Sequence, residues 1–141
     1  MREIRFRAKL SQDIDWIKKG TWVYGQVVDN DFGTVMASYT RYCIEAFKYQ
    51  PIERSTIGQY IGRKDKNGDG IYEGDILRVI DTYCGAHPYK RTFIGVVDFA
   101  DCSFMIRECD GVTSHYRWMD YEVEVIGNVY DNPELLKCDN E

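Results

Sequence analysis

Apolar and polar positions alternate along much of this chain with the two-residue period of a half-buried β-strand. The clearest run covers residues 22–28, which follow Gly20 and precede a turn-rich cluster at residues 29–33. Residues 34–39 predict the returning strand, and residues 57–61 predict another extended segment. Short strands joined by Gly-containing turns indicate a sandwich or barrel rather than a βαβ fold.

The same period continues in the second half of the chain. A strand is predicted at residues 76–80, and residues 93–99 place four apolar or small side chains on one face of the next strand. Residues 121–125 alternate apolar side chains with two glutamates that are expected to face outward. The second half is therefore predicted to be β-sheet as well.

Two short helical elements are predicted at the ends of the chain. Residues 13–19 fit one helical turn, with Asp13 as its cap and Gly20 as its stop. Near the C-terminus, Asn132 suits a helix N-cap and Pro133 suits the first helical position, so a short C-terminal helix is expected there.

The sharpest turn prediction lies at residues 64–70, where two Asx-Gly pairs stand close together. This segment also imitates the start of a calcium-binding EF-hand loop, with Asp65, Asn67 and Asp69 at alternate positions. The last position of such a loop needs a bidentate Glu, and Ile76 stands there instead. We therefore interpret the segment as a turn rather than a calcium site.

Composition narrows the class of protein. The 141 residues include 44% hydrophobic and 29% charged residues, a globular composition of single-domain size. The formal net charge of −5 argues against a protein that coats DNA through a general basic excess. The sequence opens without an apolar signal segment, contains no apolar run of membrane-spanning length, and has an odd number of cysteines, five. We expect a cytoplasmic protein with reduced thiols and no membrane contact.

Cysteine and histidine residues suggest two candidate chemistries. Cys84 and His87 have zinc-ligand spacing, and Cys102, Cys109 and His115 are the residues that could complete a site. The sequence has no second close pair, although structural zinc sites normally have two. Cys84 with His87, or Cys109 with His115, could also form a nucleophile and base, but nothing marks either thiol as activated. We expect no catalytic residue, no metal, no cofactor and no enzymatic activity.

Basic and aromatic residues interleave at three places, as in small barrels that bind single-stranded nucleic acid by stacking. In the alternative interpretation the aromatic side chains fill the core and the cations face water, which the acidic total favours. The candidate binding residues are Tyr60, Arg63, Lys64, Arg91, Arg117 and Trp118.

A further basic run stands at the N-terminus. Arg2, Arg5, Arg7 and Lys9 belong to a segment in which cations alternate with apolar residues, the period of a half-exposed strand. Cations on such a strand often protect the edge of a sheet, so we predict an edge strand here, with nucleic-acid binding as the minor alternative.

Six segments, in order from one end of the chain to the other, match a known family. They are Arg2-Glu3-Ile4-Arg5-Phe6-Arg7, Trp22-Val23-Tyr24-Gly25, Ile57-Gly58-Gln59-Tyr60-Ile61-Gly62, Lys64-Asp65-Lys66-Asn67-Gly68, Ile71-Tyr72-Glu73-Gly74-Asp75-Ile76 and Val125-Ile126-Gly127-Asn128-Val129-Tyr130-Asp131-Asn132-Pro133-Glu134-Leu135. On these residues the chain resembles the YopX proteins of bacteriophages and prophages. The resemblance implies a β-barrel core and a phage or prophage origin. It implies no reaction, because the family brings no catalytic residues to carry over.

These observations predict a mainly-β protein that forms a single domain over residues 1–141. An N-terminal β region would cover residues 1–56, and a small β-barrel-like core with a short C-terminal helix would cover residues 57–137. The predicted function is a non-enzymatic protein-interaction module that self-associates and binds a host or phage protein. A nucleic-acid-binding barrel and an enzyme with an unmarked active site are the alternatives.

Overall fold

A computed structural model describes residues 2–30, 33–39, 47–81, 91–109, 115–116 and 121–137. The chain divides into two compact units, Met1–Tyr60 and Ile61–Glu141. Whether the whole chain acts as the single predicted domain stays a prediction. The strands are β1 Phe6–Lys9, β2 Trp22–Asn30, β3 Gly33–Tyr39, β4 Phe47–Pro51, β5 Gly58–Lys64, β6 Gly70–Tyr72, β7 Asp75–Asp81, β8 Arg91–Ala100, β9 Ser103–Glu108, β10 His115–Tyr116 and β11 Glu122–Asn128.

The N-terminal unit is an antiparallel sheet in the order β4-β3-β2-β1-β5, the last strand contributing its first residues. Alternation along the strands sends every second side chain to one face, where an apolar core forms. Register places Ala8 opposite Val23 and Val27 opposite Met36, so apolar residues of neighbouring strands meet. The buried core residues are Ala8, Leu10, Val23, Met36 and Ile52.

Strand β1 lies inside this sheet and not at its edge. Phe6 stands opposite Gly25 of β2 on one side and opposite Gln59 of β5 on the other. The prediction of an edge strand protected by cations was therefore wrong. Because both backbone edges of β1 are paired at this point, its basic side chains project from a face of the sheet instead of guarding an edge.

The C-terminal unit contains a second antiparallel sheet, in the order β10-β9-β8-β7-β11. In the same unit, β6 lies beside the later residues of β5. Strand β7 is paired along most of its length with both β8 and β11. The buried apolar cluster of the unit is Ile71, Leu77, Val79, Phe93, Val97, Ile106 and Val123.

Gly95 allows the close approach of β8 and β9. A Cβ atom built at this position would collide with the Cγ2 methyl of Ile106 and come within 3.3 Å of the Arg107 carbonyl oxygen. The position therefore needs a residue without a side chain, although its φ is not one that demands glycine. Buried Gly95 thus lets the Ile106 side chain fill the space above the strand.

The outer edge of β11 is covered by the turn that follows β5. The backbone N–H of Val125 donates to Asp65 Oδ2 at 3.0 Å, and the N–H of Lys66 donates to the Val123 carbonyl at 3.1 Å. An edge strand with unpaired backbone groups invites pairing with another chain, and these two bonds occupy the middle of that edge.

The mainly-β prediction is confirmed. The predicted strands at residues 22–28, 34–39, 76–80 and 93–99 fall within strands of the structure, and those predicted at residues 57–61 and 121–125 each begin one residue before the observed strand. The prediction of a barrel-like core was wrong for the described strands. The described strands form two open sheets, because each ends on strands that are not paired with one another.

Neither predicted helix forms in the described residues. Pro133–Leu136 is a 3-10 turn, and the side-chain oxygen of Asn132 accepts the N–H of Asn128 rather than capping a helix. At residues 13–19, Ile14 and Ile17 exchange two backbone hydrogen bonds, of 2.9 and 2.7 Å, which close a tight turn that brings both side chains to the N-terminal core. The 3-10 turns of the described residues, three and four residues long, are far too short to cross a membrane.

Candidate functional site

The structure describes four of the six candidate residues predicted from the sequence, and these four are divided between the two units. Tyr60 belongs to the N-terminal unit, whereas Arg63, Lys64 and Arg91 belong to the C-terminal unit. Lys64 is exposed at the end of β5. Arg117 and Trp118 lie outside the described residues.

Arg63 and Arg91 are joined through two aromatic residues of the C-terminal unit. Arg63 Nη2 donates to the Tyr121 carbonyl oxygen at 2.6 Å, and the Tyr121 ring packs edge-on against Phe93, with centroids 6.4 Å apart. The guanidinium of Arg91 lies 5.0 Å from the centroid of the same Phe93 ring. Sequence spacing alone had placed these two arginines in separate clusters.

The positive charge of Arg91 is largely neutralised by a carboxylate in the same unit. Its Nη2 donates to both carboxylate oxygens of Glu108, at 2.6 and 2.7 Å, and the Glu108 side chain is only 10% exposed. A cation already paired with a carboxylate offers little attraction to a phosphate, because the pair is neutral overall. Arg91 and Arg63 therefore stabilise packing, and the aromatic rings between them belong to the core or its margin.

A different group of cations and aromatic rings forms on the N-terminal sheet, on the face opposite its core. Arg7 lies 4.6 Å and Lys9 5.4 Å from the Trp22 ring, and Arg5 lies 4.4 Å from the Tyr60 ring. We name this group the cation–aromatic face and define it as Arg5, Arg7, Lys9, Trp22, Tyr24 and Tyr60. Arg7 and Tyr60 are buried.

Two alternations in the sequence create the cation–aromatic face. Cations occupy positions 5, 7 and 9, and aromatic residues occupy positions 22 and 24, so each set projects from one side of its strand. The antiparallel register then places Lys9 opposite Trp22 and Arg7 opposite Tyr24. The sequence analysis identified the first alternation but not its aromatic partners, because the pairing of β1 with β2 is not encoded locally.

The Asp65 carboxylate organises the turn that the sequence predicted. Its Oδ1 accepts the N–H groups of Asn67 and Asp69, both at 2.9 Å, and its Oδ2 accepts that of Val125. Burial raises the pKa of Asp65, but the hydrogen bonds from Val125, Asp69 and Asn67 and the nearby Lys66 ammonium outweigh it, so the pKa lies below its ordinary value. Both oxygens are thus engaged by backbone amides, which is the arrangement of a structural turn.

The cysteine and histidine residues show no shared centre in the described part of the chain. Cys109 Sγ donates to the Leu136 carbonyl at 2.7 Å, and Cys102 is exposed. Cys84 and His87 lie outside the described residues, and His115 lies in β10. Over the described ranges, no three His, Cys, Asp or Glu side chains are placed to hold a metal ion.

An aromatic pair marks the tip of the β8–β9 hairpin. Phe99 and Phe104 stand opposite each other and pack edge-to-face, with centroids 5.3 Å apart. Phe99 is 55% exposed, although it continues the row of Phe93 and Val97, which are buried. An apolar row therefore runs from the core of the C-terminal unit into solvent.

The fold places the chain among mainly-β proteins built from open antiparallel sheets. The model of the YopX proteins matches residues 5–137, nearly the whole chain, and the chain belongs to the YopX family. Among solved structures, the chain is similar to protein EF1440 from Enterococcus faecalis, with 25% sequence identity and a TM-score of 0.47 over 97% of this chain and 100% of that one. No curated protein matches the sequence.

Proposed function

We propose that this protein is a non-enzymatic interaction module of bacteriophages or prophages that works in the cytoplasm of the host cell and self-associates. The observation that supports self-association is the Phe99–Phe104 pair on the β8–β9 hairpin, in which Phe99 is exposed and Phe104 is half-buried. The proposed phage or prophage origin rests on what YopX membership implies, and the proposed cytoplasmic location rests on the odd number of cysteines, which are expected to be reduced.

The aromatic pair has the physical properties of an interface anchor. Large apolar side chains on a rigid strand bury much area while losing little conformational entropy on binding. The partner ring already holds Phe99 in an edge-to-face arrangement, so association adds contacts without ordering a mobile side chain. Residues of this kind dominate the binding energy of protein interfaces.

A second copy is the partner we propose. A two-fold axis lets one patch cover the same patch on another copy, and this is the commonest symmetry of soluble oligomers. Binding of a host or phage protein would then use the remaining surface of the dimer.

The test is the mass of the protein in solution, measured by size-exclusion chromatography with light scattering over a range of micromolar concentrations. We expect a dimer, and we expect Phe99→Ser to raise its dissociation constant at least about tenfold, as removal of an interface anchor does. Leu135→Ser is the matched control, because Leu135 is also an exposed apolar residue of the C-terminal unit but lies outside the hairpin.

Two outcomes would contradict the proposal. One is a wild-type protein that stays monomeric at every concentration. The other is a Phe99→Ser variant that associates as tightly as the wild type, which would place the contact elsewhere.

A further inference from the structure

Asn67 and Gly68 form the tip of the turn that connects β5 with β6, and both residues are exposed. They are the only Asn-Gly pair in the sequence. A Cβ atom built on Gly68 would meet no other atom within 4 Å, so the position is open to solvent. Glycine has no side chain to shield its own nitrogen, which can therefore approach the preceding amide closely. The pair thus combines a reactive side-chain amide with an accessible backbone nitrogen.

The chemistry available to this pair is deamidation. The Gly68 backbone nitrogen, once hydroxide has taken its proton, attacks Asn67 Cγ and forms a new carbon–nitrogen bond. The bond from Cγ to the side-chain amide nitrogen breaks, and that nitrogen leaves as ammonia after taking a proton from water. Water then hydrolyses the cyclic imide. Opening at Cγ leaves an aspartate side chain at position 67, whereas opening at the backbone carbonyl leaves isoaspartate, whose main chain runs through the side-chain methylene.

The fold holds the Gly68 nitrogen away from Asn67 Cγ. The N–H of Gly68 donates to the Asp65 carbonyl oxygen at 3.1 Å, and the N–H of Asp65 donates to the Asp69 carbonyl oxygen at 2.8 Å. Because Gly68 has φ +85° and Asn67 has no positive φ, residues 65–68 form a type I turn that ends on a left-handed glycine. The third residue of a type I turn has ψ of about 0°, which eclipses the Gly68 nitrogen with the Asn67 nitrogen and turns it away from Cβ. The imide cannot close until the Asn67 Cα–C bond rotates.

The Asp65 carboxylate opposes this rotation. Its Oδ1 accepts the N–H groups of Asn67 and Asp69, both at 2.9 Å. Rotation about the Asn67 Cα–C bond moves the peptide groups that follow, so it breaks the bond from Asp69 to the carboxylate and the bond from Gly68 to the Asp65 carbonyl. Hydrogen bonds to a charged acceptor are among the stronger ones. The reaction therefore starts from a locally opened turn, which is a minor state of the folded protein.

We infer that Asn67 is a site of spontaneous deamidation whose rate is set by opening of the turn at residues 65–69. The carboxylate that supports the edge of β11 is also the group that protects the Asn67 side chain. The reaction uses water alone, without an enzyme or a partner. It is therefore independent of the proposed self-association through Phe99.

The isoaspartate product uncovers the edge of β11. Its main chain is longer by a methylene, so the N–H groups of Asn67 and Asp69 no longer both reach Asp65 Oδ1. The two hydrogen bonds that cover the middle of β11 come from the same turn and are lost with it. Unpaired backbone groups on an edge strand invite pairing with another chain. Deamidation thus converts a covered edge into an open one.

The test follows both products at position 67 by mass spectrometry of peptides, prepared by digestion at acidic pH, where imide formation is slow. The protein is incubated at mildly alkaline pH, folded or unfolded in urea. Wild-type protein should react at least about thirtyfold faster when unfolded, because two hydrogen bonds of the turn no longer have to break. Asp65→Ala should accelerate the reaction of the folded protein about tenfold, because the acceptor of the Asp69 N–H is gone. Asp65→Asn should react at close to the wild-type rate, because its amide oxygen can keep both bonds of the turn.

Ile106→Ala separates opening of the turn from unfolding of the whole unit. Ile106 is buried in the core of the C-terminal unit and lies on β9, outside the turn. Its truncation destabilises the protein by an amount comparable to Asp65→Ala. Under conditions in which both variants remain folded, Ile106→Ala should react at the wild-type rate.

The effect of the product is measured after reaction in urea and refolding. The isoaspartate form, separated by chromatography, should unfold at a lower urea concentration than Asn67→Asp. This variant is the matched control, because it carries the same added charge on an unaltered main chain.

Four results would overturn the inference. They are the absence of deamidation at Asn67 in the unfolded protein, equal rates for the folded and unfolded wild type, a wild-type rate in folded Asp65→Ala, and an acceleration in Ile106→Ala equal to that in Asp65→Ala. An isoaspartate form as stable as Asn67→Asp would contradict the uncovering of β11.

Discussion

Removal of the Asp65 side chain should destabilise the protein strongly, because this one carboxylate supports both a turn and a sheet edge. Asp65 is 7% exposed and accepts hydrogen bonds from the N–H groups of Asn67, Asp69 and Val125. Asp65→Ala leaves all three donors without their acceptor. At roughly 1 to 1.5 kcal/mol for each lost bond, the free energy of unfolding should fall by about 3 to 5 kcal/mol.

Asp65→Asn divides this effect into two parts. The amide oxygen can keep the two bonds of the turn, but the amide nitrogen then faces the N–H of Val125, and two donors oppose each other. We expect a loss of about 2 kcal/mol, the value of one hydrogen bond to a charged group. Asp69→Asn is the matched control: Asp69 is an exposed residue of the same turn, and its change should cost less than about 0.5 kcal/mol.

Urea unfolding followed by tryptophan fluorescence measures these differences, and pH adds an independent arm. Because the pKa of Asp65 is lower in the folded protein than its ordinary value of 3.8, the carboxylate stabilises the fold above that value. This stabilisation is lost as the pH falls through the folded-state pKa. The gap between wild type and Asp65→Asn should therefore be constant above about pH 5 and narrow below about pH 4. A gap that is the same at every pH, or an Asp65→Ala variant as stable as Asp69→Asn, would refute the structural role given to the carboxylate.

Three other changes test the packing of the C-terminal unit in the same urea assay. Gly95→Ala should cost about 1 to 3 kcal/mol, because the added Cβ collides with Ile106. The same change should cost far less in an Ile106→Ala background, and additive effects of the two substitutions would contradict the collision. Cys102→Gly should stabilise the protein by about 0.5 to 1 kcal/mol, because Cys102 has φ +63° in a two-residue hairpin turn where glycine is preferred. A loss of stability in this variant would contradict the prediction. Arg91→Gln should cost about 1 to 2 kcal/mol, because it leaves the nearly buried Glu108 without its cation. Arg78→Gln, in a more exposed pair with Glu124, should cost less than about 0.5 kcal/mol. Equal losses of stability in the two variants would contradict this argument.

Local chemistry explains why the elements could be predicted and their arrangement could not. The period of the strands and the Asx-Gly pairs at residues 67–70 act within a few residues, so they determine where strands and turns form. The helix predictions were wrong because a local start signal does not by itself produce a helix. Asn132 and Pro133 are suited to a helix start, but the 3-10 turn contains only the four residues Pro133–Leu136, too few to gain from helix propagation.

In the candidate site, too, some features are determined by the local sequence and others by strand pairing. The alternation of Arg5, Arg7 and Lys9 is visible in the sequence, and it determines that these side chains share one face. It does not determine that β1 lies inside its sheet, since that depends on the pairing of Phe6 with Gln59, far along the chain. Likewise, the basic character of Arg91 is a sequence fact, whereas its neutralisation by Glu108 is not.

The sequence by itself therefore determined the mainly-β class, the positions of most of the strands, the turn at Asp65 and the family. The tertiary structure alone decided which cations meet aromatic rings, which are paired with carboxylates, and which edge of the second sheet is covered. The physical reason is that a period of two assigns each side chain to a face, while the neighbours on that face come from strands distant in sequence, and only pairing brings them together.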